Sequence, residues 1–535
     1  MSKDTGNKFI KGAAILGIAG VIIKFLGAFF RIPLTNKIGT AGMAYYGVAY
    51  TVYSVFLVLS TAGIPVAISK MVSERIALNN YGGAHKVFRV SFLLLFSLGA
   101  ISFIICFFGA PLIAEMVKLP DSELSLKAIA PALFIVPIFS AFRGYFQGRQ
   151  NMNPTAISEI TEQIIRVIVG LTLAFSLVKV GLSEAAAGAT FGASAGAIGG
   201  LGIIVVIYLL NRRAIHTKIK KHPQNIEGTK EILWKILAIA IPIIIGAEIW
   251  PIMTTIDTTI IMNRLQATGW TLDEATNLYG MLSGFCNSLI AFPQVFTQAV
   301  AVSLVPAISA SFMRREREKV KENVELGIRT TLIMAFPCAL GIFALAEPIL
   351  RLLYIKQQAS AVAAAPTLMI MSISVIFLAV AQTYTGILQG IGKQTVPVKN
   401  LAIGAVVKIA VTFILVGIKP INIKGAAIGT MVAYIIALIL NQRAVHKYTD
   451  AKLDFTLSYL KPGLAATVMG ICAYASYRLL MIVSGSNTIS TVLAIGIGAI
   501  VYVVMIFMVK AITREELLRV PKGEKIVKLL NKFIK

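Results

Sequence analysis

About fourteen apolar runs, each long enough to cross a bilayer, recur from one end of the sequence to the other. They lie at 9–30, 43–66, 87–114, 128–147, 154–178, 185–210, 232–263, 275–312, 324–354, 360–389, 396–418, 425–446, 456–483 and 488–512. A hydrocarbon core takes about 20 apolar residues per helical span. In lipid every backbone N–H and C=O needs a partner within the protein, so such runs fold as helices. Of the 535 residues, 57% are hydrophobic and only 14% charged, which leaves no long polar stretch for a soluble catalytic domain. The first run is not a cleaved leader, because it is long, ends in charge and lacks a small-residue cleavage site. The expected fold class is an all-α polytopic membrane protein.

A net charge of +26 raises the question of nucleic acid. Its distribution answers otherwise. Lys3, Lys8 and Lys11 precede or open the first run; Lys70, Arg75, Lys86 and Arg89 follow the second; Arg212, Arg213, Lys218, Lys220 and Lys221 follow the sixth. Arg314, Arg315, Arg317, Lys319 and Lys321 follow the eighth, Arg443, Lys447 and Lys452 end or follow the twelfth, and the tail from Arg514 is basic. The alternate connections are poor in cations. Basic loops stay on the cytoplasmic side, so both termini are expected there, with anionic lipid as a partner of these loops and no nucleic acid.

Cys106, Cys286, Cys338 and Cys472 sit far apart inside apolar runs and read as small buried residues. His85, His216, His222 and His446 have no metal-ligand spacing. "GILQGIGKQT" at 386–395 resembles a phosphate-binding loop, but its glycines are one residue too far apart and Gln394 stands where Ser or Thr should follow the lysine. It reads as a turn between helices. No cofactor is expected.

The sequence repeats itself. "GYFQG" from Gly144 returns as "GILQG" from Gly386, each followed by a proline and a long apolar helix with one cation, Arg166 and Lys408. "EAAAGATFG" from Glu184 returns as "GAAIGTMVA" from Gly425, and "IPVAIS" at 64–69 as "VPAIS" at 305–309. The offset is about 230–245 residues, or six helices, which preserves orientation. Two parallel six-helix lobes are therefore expected: residues 1–212 and 231–450, joined by a basic linker at 213–230. Helices 13 and 14 at 451–512 and a basic tail at 513–535 follow.

Charges within the apolar runs are the candidate site. Glu159, Glu162 and Arg166 are spaced by three and four, so they share a helix face. From a helix start at Asn153-Pro154, Arg166 lies roughly 18 Å in, and Lys408 roughly 16 Å past Pro397. A charge at that depth costs about 2.5–3.5 kcal/mol when it faces lipid, so these side chains face the bundle interior or a wet cavity. Either Glu162 and Arg166 form a structural ion pair or the cation binds a ligand. Lys24 and Arg31 share a face at a spacing of seven, as do Asp257 and Arg264, and Pro33 is expected to disturb the first helix. Glu248 sits between Pro242 and Pro251. Arg31 and Arg264 are also placed to snorkel to the outer interface. A cavity holding Lys24, Arg31, Arg166 and Lys408 suits an anionic headgroup such as a pyrophosphate.

"RIPLTNKIG", "GIPVAISKMVSER" and "GYFQGRQNMNPTAISEITEQIIRV" together resemble the stage V sporulation protein B group of the multidrug/oligosaccharidyl-lipid/polysaccharide exporter superfamily, over nearly the whole chain. The resemblance implies the exporter fold. It also implies a flippase for a polyprenyl-diphosphate-linked glycan, most directly the lipid-linked peptidoglycan precursor, acting as a monomer in the bacterial cytoplasmic membrane. In the lipid II flippase branch the first helix carries Arg and then Gly-x-x-Arg-Asp. Lys24 falls at the first Arg, Phe30 replaces the second and Arg31 replaces the Asp, so the cation is displaced by one residue. The branch's arginine in the eighth helix has no counterpart between Leu278 and Phe312. Its monovalent-cation site implies Asp257 as a ligand, with Asn400 as an amide ligand.

Two other classes stay open. A cation-coupled multidrug antiporter of the same superfamily would favour an acidic cavity, whereas the first helix here has only cations. A non-transporting scaffold shares every feature above. A twelve-helix facilitator is excluded by "SKMVSERIALNNYGGAHK", which lacks that class's Gly-rich Asp-Arg loop, and a glycosyltransferase by the absence of an acidic catalytic cluster in any loop.

Overall fold

The computed structural model describes residues 3–221, 227–451 and 454–511. His222, Lys452, the tail at 513–535 and the side chains of Lys3, Lys8 and Lys11 lie outside the described residues. Helices α1 to α4 are Lys3–Thr61, Ile64–Ala77, Tyr81–Phe108 and Ala110–Met116; α5 to α8 are Glu123–Gly148, Asn153–Leu177, Leu182–Lys221 and Thr229–Ala267. Next, α9 (Leu272–Gly280) passes through a π-helical turn into α10 (Asn287–Met313), followed by α11 (Arg317–Ala344) and α12 (Ala346–Leu353). The remainder are α13 (Gln358–Gly390), α14 (Thr395–Val416), α15 (Lys424–Thr449), α16 (Lys461–Ser484) and α17 (Asn487–Met508).

Among the described residues, thirteen spans are long and apolar enough to cross a membrane. The first, Ile22–Ala77, takes in α1 from Ile22 onward, and α1 is two helices joined at Gly39 (φ 66°, ψ −169°). That conformation belongs to glycine and interrupts any helix. The 22 residues of its second arm, Thr40 to Thr61, reach about 33 Å, a full span, so the reading of about fourteen helices stands. The expected disturbance at Pro33 does not occur: one missing N–H leaves a buried helix continuous. Helix α6 starts at Asn153 as expected, and the backbone N–H of Asn153 donates to Oδ1 of Asn151 at 3.3 Å.

By packing, the chain forms two compact units. The first comprises the described residues up to Ser288 with Ile409–Ala426; the second comprises Leu289–Lys408 with those from Ala427 onward. These cuts fall within α10, α14 and α15. The division at 213–230 is one of sequence repetition and remains a proposal.

The repeated motifs make the same contact in each unit. Gly144 and Gly148 are the last turn of α5, not a free turn, and lie against α2: a Cβ at either would strike Pro65, Ile68, Ser69 or Val72. Gly386 and Gly390 end α13 in the same way against Ala301, Val305 and Ile308 of α10. The turn read at 386–395 is thus confined to the residues after Gly390. In lipid, helix association rests on close packing, and small residues permit it.

In the first unit, Gly188, Gly192, Gly196 and Gly200 form a stripe along α7, one residue every helical turn. A Cβ on them would meet, in order, Leu173, Gly170 with the Arg166 carbonyl, the Glu162 carbonyl, and the Ser158 carbonyl of α6. The stripe runs antiparallel to α6 along the stretch that carries the candidate charges. In the second unit, Val324, Ile328, Tyr384 and Ile387 pack with Ile308 and Val445 into a core across α10, α11, α13 and α15.

Candidate functional site

Four ionisable residues of α5 and α6 form two ion pairs. Arg166 Nη2 meets Glu162 Oε1 at 2.5 Å, one turn apart on α6. Glu159 is paired with Arg143, which comes from α5. Arg143 also lies 5.1 Å from the Phe139 ring centroid and within electrostatic range of Glu162. The side chains of Glu162 and Arg166 keep only 14% and 19% exposure, so each pair neutralises charge that lipid or packed protein would otherwise penalise.

A tyrosine ladder from α1 faces these pairs. Tyr46 and Tyr50 stack at 4.5 Å between centroids, and Tyr50 meets Tyr53 edge-on at 5.8 Å. All three lie within electrostatic range of Arg166, and Tyr46 also of Arg31. Tyr46 thus links the cation of the first arm of α1 with the cation of α6. Phe30 meets Tyr46 at 6.0 Å, and its ring lies over Gly170, where a Cβ would collide with it. Arg31 Nη1 reaches Ser288 Oγ at 3.4 Å. Lys24 on α1 is exposed. The ladder was legible as a four-then-three spacing, which places Tyr46, Tyr50 and Tyr53 on one helix face. Arg143 was legible as a lone cation in the apolar run 128–147.

Glu248 on α8 is 6% exposed, and its carboxylate oxygens make no hydrogen bond of ordinary geometry among the described residues; the backbone of Leu59 faces them. Asp257 is 7% exposed and lies in electrostatic range of Tyr279, whose hydroxyl meets Thr258 Oγ1 at 3.1 Å. Arg264 Nε donates to the Phe413 carbonyl at 3.1 Å, with its guanidinium 4.2 Å from the Phe413 ring centroid. It thereby satisfies a carbonyl in the last turn of α14, where a cation is favoured. In the second unit Lys408 is buried on α14. Asn400 donates to Asn441 Oδ1 at 2.8 Å, and Asn441 reaches Thr385 Oγ1 at 3.3 Å, a polar knot across α14, α15 and α13. Among the described residues no group of three or more His, Cys, Asp or Glu is placed to hold a metal ion.

The family model described as polysaccharide biosynthesis protein matches residues 9–312, more than half of the chain. The chain belongs to the polysaccharide biosynthesis protein family. Within this family it is similar to stage V sporulation protein B of Bacillus subtilis (strain 168), 27% identical over 97% of this chain and 98% of that protein. It is also similar to the lipid II flippase MurJ of the same organism, 28% identical over 81% of each. A MatE model matches residues 283–414. Two solved structures share the fold: lipid II flippase MurJ in an inward closed conformation (TM-score 0.64, 17% identity, 91% of this chain and 97% of that one), and an inward-facing multidrug resistance MATE family transporter of the MOP superfamily (TM-score 0.69, 15% identity, 80% and 94%). This member of the polysaccharide biosynthesis protein family is accordingly a multi-pass membrane protein with the exporter-superfamily fold.

Proposed function

We propose that the chain flips a polyprenyl-diphosphate-linked glycan across the bacterial cytoplasmic membrane by alternating access, and that the glycan lipid is the peptidoglycan precursor used for cell wall or spore cortex. The observation that carries this reading is the likeness, over nearly full length, to a sporulation protein and, over four fifths, to a lipid II flippase. The chemistry of the first unit supports it. Arg31 and Arg166 converge on one tyrosine, and planar guanidinium groups suit a diphosphate, which accepts two parallel hydrogen bonds from each. Lys24 extends the cationic face of α1, and Lys408 supplies a buried cation at the repeat-related position in the second unit. In this reading the Glu162–Arg166 pair opens and Arg166 exchanges its carboxylate for the headgroup. Asp257 serves as the coupling carboxylate for a monovalent cation or proton, with Glu248 as a second candidate, and the chain works as a monomer with both termini cytoplasmic.

Cells depleted of their own precursor flippase test this: expression of the chain restores growth, and Arg31→Ala does not. A second reading, a cation-coupled drug antiporter, is favoured by the fold likeness to a multidrug transporter and by the two buried carboxylates of α8. It predicts drug resistance without rescue of the depleted cells.

A further inference from the structure

A cleft of about 680 Å³ opens between α3, α7 and α8 of the first unit, and none of its lining residues belongs to the Arg31–Arg166 cluster. One end is cationic: His85, Lys86, Arg89 and His216 line it, and no lining residue is acidic. His85 is 7% exposed, and its Nδ1 is buried without a hydrogen-bond partner. Its ring lies 5.8 Å from that of His216, and Arg149 and Arg212 add to the positive field around it. The carboxylate that reaches this region is already engaged: Glu227 binds Arg75 at 2.6 Å and Lys235 at 3.0 Å, and offers Lys86 only its backbone carbonyl. Among the described residues, no side chain compensates the charge of the cationic end.

The other end is apolar. Leu93, Leu94 and Leu233 line it, and Leu93 and the adjacent Trp234 are about two-thirds exposed. Exposed tryptophan marks the headgroup level of a bilayer. From Arg89 to Leu93 is four residues, about 6 Å along α3. A phosphate at the cations and a hydrocarbon chain along the leucines match that separation. Basic pockets between membrane helices have this form when they hold anionic lipid headgroups.

We propose that this cleft is a binding site for an anionic phospholipid, whose phosphate is held by Lys86, Arg89 and His216 with His85 beneath, and whose chain lies along Leu93, Leu94 and Leu233. The site stands apart from the transport reading, since it is lined by none of the residues invoked there. Its occupant bridges α3, α7 and α8.

The test measures lipid retention and thermal stability of the purified full-length chain supplied with phosphatidylglycerol, phosphatidylcholine or inorganic phosphate. Phosphatidylglycerol should be retained and should raise the melting temperature, with phosphatidylcholine and inorganic phosphate giving neither effect. Lys86→Gln with Arg89→Gln should weaken phosphatidylglycerol binding roughly twenty-fold or more, at about fivefold per cation removed near the surface. Arg317→Gln with Lys319→Gln, an equal loss of charge in another loop, should leave it unchanged. If the first double variant melts early in phosphatidylcholine alone, Ser97→Trp decides: it fills the cleft, keeps every charge and should also abolish retention. Equal weakening by the distant double variant, equal retention of phosphatidylcholine, or full retention by Ser97→Trp would each overturn the proposal. Stabilisation by inorganic phosphate alone would make the cleft a free-phosphate site and overturn it likewise.

Discussion

Arg166 is where structure and function compete for one side chain. It is bonded to Glu162 in a setting where both side chains are more than four-fifths buried. Removing one member of such a pair leaves an uncompensated charge, at a cost of about 3–5 kcal/mol on soluble-protein precedent. Arg166→Ala should therefore lower both stability and transport. Arg166→Ala combined with Glu162→Gln should recover expression and thermal stability but not flipping, because the headgroup contact stays lost; recovery of flipping would leave Arg166 a purely structural residue. Arg143→Ala should destabilise through Glu159 in the same way. Outside the membrane, Glu227 behaves differently. Partial burial pushes its carboxyl up, but Lys235 and Arg75 outweigh this and hold it below the ordinary carboxylate range. A depressed pKa contributes stability that is fully present above the unfolded value and is lost as pH falls through the folded one. The wild type should keep a constant melting advantage over Glu227→Gln from neutral pH down to about pH 5 and lose it below about pH 4; an advantage that fades between pH 7 and 5 would contradict the clasp.

The helices themselves were legible, because apolar length alone decides them in lipid. What helices do to one another was not. The stripe Gly188, Gly192, Gly196 and Gly200 is visible as a spacing, yet its meaning depends on α6 lying against it, which no pattern within α7 states. The bend of α1 was assigned to Pro33 because proline is the familiar breaker, but a buried helix tolerates one lost N–H, whereas Gly39 adopts a backbone conformation that no helix shares. Arg143 has no acid near it in sequence; its partner arrives from the next helix. Gly196→Ala places a Cβ against the Glu162 carbonyl, so α6 and α7 must separate, and overpacking of this kind costs about 1–3 kcal/mol. Gly202→Ala on the same helix meets nothing within 4 Å and should be neutral or stabilising by up to about 1 kcal/mol. Matched loss of melting temperature in both variants would show that the stripe is not a packing seam.

For the whole molecule, the repeat and the charge alternation make separate statements. The repeat is visible in the packing, since the glycine pair of α5 meets α2 as that of α13 meets α10. The orientation proposed from the basic loops is tested by single cysteines at exposed positions: Thr488→Cys should be labelled by an impermeant reagent on intact cells and Arg317→Cys should not, with the opposite pattern reversing the assignment. Site residues were legible only as ionisable side chains in improbable places; which of them face a common centre required the fold, and Arg264 and Asn400 prove to be engaged by a helix end and an amide knot. The central claim is transport of a diphosphate-linked glycan lipid. Its most direct measurement is the fraction of peptidoglycan precursor accessible to an outside reagent in cells depleted of their own flippase and expressing this chain. The account predicts that wild-type chain restores outside accessibility and that Arg31→Ala, made at equal abundance, leaves the precursor inside. Precursor that stays inside with abundant wild-type chain, or that emerges equally with Arg31→Ala, would contradict it.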